Sequence, residues 1–157
     1  MDMTEKPPTT KLVIRIAQPE DISHIEHLDS FSASPTRDIH REVHKYFGSV
    51  DPSTHEQTLI FLLEEDGTPI GKAELMIPPH GTIAEVGYVK RVIIHPEQRG
   101  KGYARTLLRH VIHYAQQELA LHAVDLHVYD QNASAINLYE SLGFKLQHKE
   151  LYYRLPL

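Results

Sequence analysis

The chain of 157 residues contains no cysteine. That excludes a disulfide framework, a thiolate nucleophile and a cysteine-ligated zinc site. No apolar run approaches the roughly 20 residues that span a bilayer. Residues Met1–Thr10 carry no apolar signal-peptide core. The expectation is a cytoplasmic protein without a membrane partner. Positive charge is also scarce: 16 Lys and Arg against 21 Asp and Glu leave a formal net charge of −5. This balance argues against nucleic acid as a partner and is compatible with a cationic one. The length suits one domain with a core of useful size. Residues 1–10 read as a flexible lead and 11–157 as a single domain.

What is present alternates regularly between strand and helix patterns, without repeats. Lys11–Ala17 places Leu12, Ile14 and Ile16 at every second position, as a strand does. Pro19, Glu20 and Asp21 suit the first turn of a helix whose apolar stripe is Ile22, Ile25, Leu28 and Phe31. After a break at Ser32–Pro35, Ile39, Val43, Tyr46 and Phe47 predict a second helix over about 36–47. Thr58–Glu64 and Ile70–Ile77 read as strands around the hairpin signal Glu65-Asp66-Gly67-Thr68, and Pro78-Pro79-His80-Gly81 makes the next turn. A strand over Ile83–Ile94, a helix over Gly102–Leu119 and a strand over Val124–Tyr129 follow. The tail Lys145–Pro156, with Tyr152 and Tyr153, reads as a last strand.

The most informative stretch is Val92-Ile93-Ile94-His95-Pro96-Glu97-Gln98-Arg99-Gly100-Lys101-Gly102-Tyr103-Ala104-Arg105. It is a strand, a short loop with two glycines and the start of an amphipathic helix. The first N–H groups of a helix lack intrahelical partners, and the dipole adds about half a positive charge there. Such a junction holds anions. Arg99, Lys101 and Arg105 add charge, and Gly100 and Gly102 let a phosphate approach the backbone. Neither a dinucleotide fingerprint nor a P-loop fits. Arg105 stands where the former needs its third glycine, and Gly102 stands where the latter needs Ser or Thr.

Arg99, Gly102 and Ala104 fill the fixed places of the Arg/Gln-x-x-Gly-x-Gly/Ala signature of GCN5-related N-acetyltransferases (GNAT). Downstream, Asn132-Ala133-Ser134-Ala135-Ile136-Asn137-Leu138-Tyr139-Glu140-Ser141-Leu142-Gly143-Phe144 resembles that family's second hallmark. Local chemistry agrees: Asn132 is a good N-cap and Gly143 a good helix terminator. The resemblance covers the chain after residue 10. It implies an α/β (α+β) fold, with a central mixed, mostly antiparallel sheet and helices on both faces, in the order β-α-α-β-β-β-α-β-α-β. It also implies transfer of an acetyl group from acetyl-CoA, as co-substrate, to a primary amine by direct attack in a ternary complex.

On that resemblance the cofactor is held by the backbone of Val92, Ile93 and Ile94. The loop and helix start Arg99, Gly100, Lys101, Gly102, Tyr103, Ala104 and Arg105 hold it too, with Asn132 contributing. Tyr139 occupies the family's place for the group that protonates the departing thiolate; packing its helix on the sheet is the alternative role. The amine must be delivered neutral, although with a pKa of about 10.4 only about one in 2,500 is neutral at pH 7. Candidate bases are Glu85, Tyr88 and His127, the last standing where some relatives have glutamate. A water chain is equally open.

The acceptor side is expected over Phe31–His55, with Asp38, His40, Glu42, His44, Tyr46 and Asp51, and with Tyr152 and Tyr153 as possible contributors. The acceptor is a small-molecule amine or a protein or peptide amine. The last strand offers an edge for a homodimer. Twelve histidines invite a metal. His40 and His44 have a workable spacing but no third ligand, and Glu42 is at the wrong offset for a zinc-protease motif, so no metal is expected. Two other classes fit less well: a non-catalytic acyl-CoA sensor of the same fold, and a fragment of a nucleotide-binding oxidoreductase.

Overall fold

A computed structural model describes residues 9–33, 36–79 and 85–157. The regular elements are β1 (Leu12–Ile16), α1 (Ile22–Asp29), β2 (Gln57–Glu65), β3 (Thr68–Ile77), β4 (Val86–Ile94), α2 (Tyr103–Gln117), β5 (Ala123–Asp125) and α3 (Ala133–Ser141). The residues fall into two units, Met1–His127 and Val128–Leu157. The expected mixed α/β class with a mostly antiparallel sheet is what the structure has.

In the first unit the five strands lie in the order β1-β2-β3-β4-β5. The first four are antiparallel neighbours, and β5 joins β4 in parallel. Asp66 and Gly67, at φ 49° and 84°, make the two-residue turn that the Asp-Gly pair predicts. β2 and β3 each bury a run of six residues, so both faces of the sheet are covered. Ile60 and Leu62 pack with Ile22, Ile25 and Leu28 of α1. Phe61 points the other way and meets the rings of His110 and Tyr114 on α2, 5.8 and 5.3 Å between centroids. α2 buries Leu107, Leu108, Val111 and Ala115 there, which share one face at helical spacing.

Two expected elements are not regular in the structure. Over 36–47 the only helical turn is a 3-10 turn at Val43–Lys45. Its β-branched and aromatic residues are weak helix formers. Tertiary contacts take over: Ile39 and Tyr46 are buried in the α1 core, and Arg37 reaches Glu74 on β3. Phe47 and Gly48, at φ 62° and 81°, then turn the chain away. The His40–His44 helical spacing is therefore absent, and His40 lies 3.0 Å from Glu26.

The tail over 145–156 forms no strand, and Tyr152 and Tyr153 are exposed. Among the described residues the regular element of the second unit is α3. The strand expected over 124–129 is shortened to Ala123–Asp125. Residues 83 and 84 of the long expected strand, His80 and Gly81 of the preceding turn, and Ser34 and Pro35 lie outside the described residues. Among the described residues, no helix is long and apolar enough to cross a membrane.

Candidate active site

β4 changes character along its length. It pairs with β5 only over Val86–Tyr88. From Val89 to Ile94 its far edge has no strand beside it among the described residues, while β3 holds its near edge. Within that stretch the register jumps from Glu74↔Lys90 to Lys72↔Ile93, so Arg91 and Val92 together face Ala73. Arg91 takes φ 51°, an uncommon conformation for a non-glycine residue. A bulge of this kind bends the strand and re-aims the residues around it.

Beyond β4, His95 Nδ1 accepts from Glu97 N–H at 3.2 Å and caps a 3-10 turn at Pro96–Gln98. Gly100 and Gly102 then adopt φ 79° and 78°, where a side chain would be strained. A Cβ placed on either would meet nothing within 4 Å, so the loop faces open space. Gly102 is the N-cap of α2 and offers no side-chain cap. The first N–H groups of Tyr103, Ala104 and Arg105 therefore have no intrahelical acceptor.

The loop is braced from within. Arg99 Nε donates to the Ile94 carbonyl at 3.2 Å, and Lys101 Nζ donates to Gln98 at 2.7 Å. Tyr103 donates its hydroxyl to Glu65, which raises the phenol's pKa. A strand edge leading into an uncapped, glycine-lined helix start fits a ligand with an extended, amide-bearing arm and a pyrophosphate.

At the other end of the exposed edge, the Tyr88 hydroxyl and His127 Nδ1 share a short hydrogen bond, with ring centroids 5.4 Å apart. Two of the three candidate bases thus meet where β5 leaves β4. Glu85 stands just before β4, its carbonyl accepting from His122 N–H at 2.9 Å. One strand over, a cleft of about 550 Å³ is lined by Val50, His55, Gln57, Ile77, Pro78 and Pro79. Ile77 follows Met76, the cross-strand partner of Tyr88, so the cleft opens at the Tyr88 end of the sheet. Asp51 braces this region: its Oδ1 accepts from Ser53 N–H and Oγ at 2.9 and 2.8 Å, which lowers its pKa.

In the second unit, Asn132 caps α3 by accepting from Ala135 N–H at 3.2 Å. Tyr139 lies on α3 with its ring 5.9 Å from Phe144, and burial raises its pKa. The phenol is therefore protonated at neutral pH.

A charged cluster under α1 was not apparent from the sequence. Glu74 and Lys72 on β3 are fully buried. The Arg37 guanidinium forks onto Glu74, with Nη1 to Oε1 at 2.7 Å and Nη2 to Oε2. Its Nε reaches Asp29 at 3.2 Å. Lys72 Nζ bonds Glu74 and lies 2.7 Å from Asp29 Oδ1. That last approach is a charge contact only, because Oδ1 has no aligned hydrogen bond. Burial pushes the Glu74 carboxyl upward, but Arg37 and Lys72 outweigh it and hold the pKa below the usual range. The available signal was two charged residues at alternate positions of an otherwise apolar strand. Among the described residues, no group of three or more His, Asp or Glu side chains could hold a metal ion.

The chain belongs to the acetyltransferase (GNAT) family, whose model matches residues 20–144. It is similar to the spermidine N(1)-acetyltransferase of Vibrio cholerae, 42% identical over 67 residues, which are 40% of this chain and 39% of that protein. The spermidine N(1)-acetyltransferase of Escherichia coli K12 is 29% identical over 151 residues, 90% of this chain and 76% of that one. The chain thus spans well under half of the first relative and about three quarters of the second. Among solved structures, the aminoglycoside N-acetyltransferase AAC(6')-Iy in complex with CoA aligns with a TM-score of 0.73. The alignment covers 98% of this chain and 100% of that one, at 18% identity. At that identity the likeness concerns the fold alone.

Proposed function

We propose that the chain is an acetyl-CoA-dependent N-acetyltransferase acting on a primary amine by direct attack in a ternary complex. The observation that carries the reading is the course of β4. Its unaccompanied edge runs from the Tyr88–His127 pair, past the bulge, into the open Gly100–Gly102 loop. On this reading Met1–His127 and Val128–Leu157 serve one domain, which is supported by a family match that crosses their boundary.

Bound there, acetyl-CoA supplies an activated acyl carbon. The residues 99–105 hold the pyrophosphate, with the first N–H groups of α2 as donors. The backbone of Val92, Ile93 and Ile94 pairs with the pantetheine arm. One N–H of that stretch donates to the thioester oxygen, an interaction typically worth about 3 kcal/mol in the transition state. The amine enters by the cleft at Val50 and Ile77. Tyr88 and His127 form a proton relay in which Oη accepts from the amine as its own proton passes to Nδ1. Glu85 is the second candidate base. The family resemblance gives Tyr139 the role of donor to the departing thiolate and Asn132 a cofactor contact beside its capping role. A small-molecule amine acceptor is supported by the names of the spermidine acetyltransferases.

The test is thiol release from acetyl-CoA by the purified full chain with a panel of polyamines, amino sugars and lysine peptides. Continuous amine-dependent release is expected. Tight acetyl-CoA binding with no sustained release on any amine would replace the enzyme reading with that of an acyl-CoA sensor.

A further inference from the structure

Lys90 is the last β4 residue before the bulge, and it faces Glu74 across the sheet. It therefore lies on the α1 face with the buried charged cluster. Three cationic side chains, Arg37, Lys72 and Lys90, share that face with two carboxylates, Asp29 and Glu74. Both carboxylates are already engaged by Arg37 and Lys72. Lys90 is half-buried and makes no ion pair among the described residues. It is the cation on that face with which neither Asp29 nor Glu74 forms an ion pair. Desolvation lowers its pKa, with Arg37 and Arg91 acting in the same direction and Glu74 and Glu56 opposing them. A desolvated lysine beside other cations is an activated amine nucleophile.

Position supplies the other half of the argument. Strand rise is about 3.3 Å per residue, so Lys90 lies about 13 Å along β4 from Ile94, where the glycine loop begins. On the acetyl-CoA reading the pantetheine arm runs from the loop along this edge of β4 and carries its thioester toward the bulge. We propose that Lys90 is an acetyl acceptor within the chain's own cofactor site, so that the protein acetylates itself there. The inference rests on the acetyl-CoA reading above. In the step, the Lys90 Nζ lone pair forms the amide bond to the acyl carbon as the carbon–sulfur bond breaks. The electron pair leaves on sulfur, and the proton lost from nitrogen converts that thiolate to free CoA thiol. The product is neutral acetyl-lysine, which leaves Arg37 and Lys72 matched to the two carboxylates.

The experiment incubates the full chain with acetyl-CoA and no added amine, maps acetylated peptides by mass spectrometry and titrates CoA binding in parallel. Lys90 should be modified at neutral pH at least about tenfold faster than the exposed Lys145 and Lys149, because the proposal sets it beside the bound thioester. The rate should be independent of protein concentration and suppressed by excess CoA. Thiol release should stop at one equivalent per chain and vanish in Lys90→Arg. Lys90→Met, which also lacks the nucleophile, should match it. CoA binding without preferential Lys90 acetylation, or a rate that falls on dilution, overturns this inference and leaves the transferase reading standing. No binding of either CoA species overturns both.

Discussion

The two faces of the β2–β3 pair are equally closed to solvent but by opposite chemistry. On the α2 face, Leu59, Phe61, Leu63, Ala73 and Leu75 meet Leu107, Leu108, Val111 and Ala115, all buried and apolar. On the α1 face, Ile60 and Leu62 share the sheet with Lys72 and Glu74, and Arg37 and Asp29 close over them. Apolar burial contributes about 25 cal/mol per Å² and is non-directional. A forked guanidinium–carboxylate pair contributes little net stability once desolvation is counted, but it tolerates one geometry. The α2 face thus supplies stability. The α1 face fixes where the segment around Arg37 lies, and that segment is part of the 31–55 stretch expected to form the acceptor side.

The comparison breaks most visibly at Glu74. Glu74→Gln leaves Arg37 and Lys72 buried with Asp29 as their one remaining counter-charge and should cost about 3–5 kcal/mol in urea unfolding. Phe61→Ala on the other face should likewise cost about 3–5 kcal/mol by leaving a cavity. The faces should part company in the next step. Replacing Asp29, Arg37, Lys72 and Glu74 together with apolar residues of similar volume should bring stability back to within about 1 kcal/mol of the parent or above it. It should also raise the KM for the amine and leave the KM for acetyl-CoA unchanged. An unaltered amine KM would remove the positioning role.

Acid provides a finer distinction. Glu74 has a folded pKa below its unfolded value of about 4.3. Its stabilisation is therefore complete above that value and is lost as pH falls through the folded one. The urea midpoint should fall below about pH 4.3, and the fall should be shallower in the joint apolar replacement. Smaller still, Asn132→Ala should cost about 1 kcal/mol through the lost α3 cap, with no effect on either face of the sheet. Tyr139→Phe should leave stability nearly unchanged and lower turnover far more than acetyl-CoA affinity, as kinetics and titration on one preparation would show.

What the sequence revealed was local. The Asp66-Gly67 turn, the Gly100–Gly102 loop at the start of α2 and the Asn132 cap each rest on signals within a few residues. The 36–47 segment was not legible, because Ile39, Val43 and Tyr46 mimic a helical stripe while Arg37 answers to Glu74, 37 residues away. The bulge at Arg91 carries no glycine to announce it. Lys90 carries no local signal, and only the register sets it opposite Glu74. Tyr88 and His127 were separate candidates, and only the parallel pairing of β4 with β5 joins them.

The most direct test of the central claim is isothermal titration of the full chain with acetyl-CoA, CoA and NAD, repeated on a variant carrying Gly100→Glu and Gly102→Glu. The account predicts binding of both CoA species and none of NAD, with CoA binding abolished in a variant whose circular dichroism is unchanged. Unchanged CoA affinity in that variant, or no CoA binding by the parent chain, would contradict it.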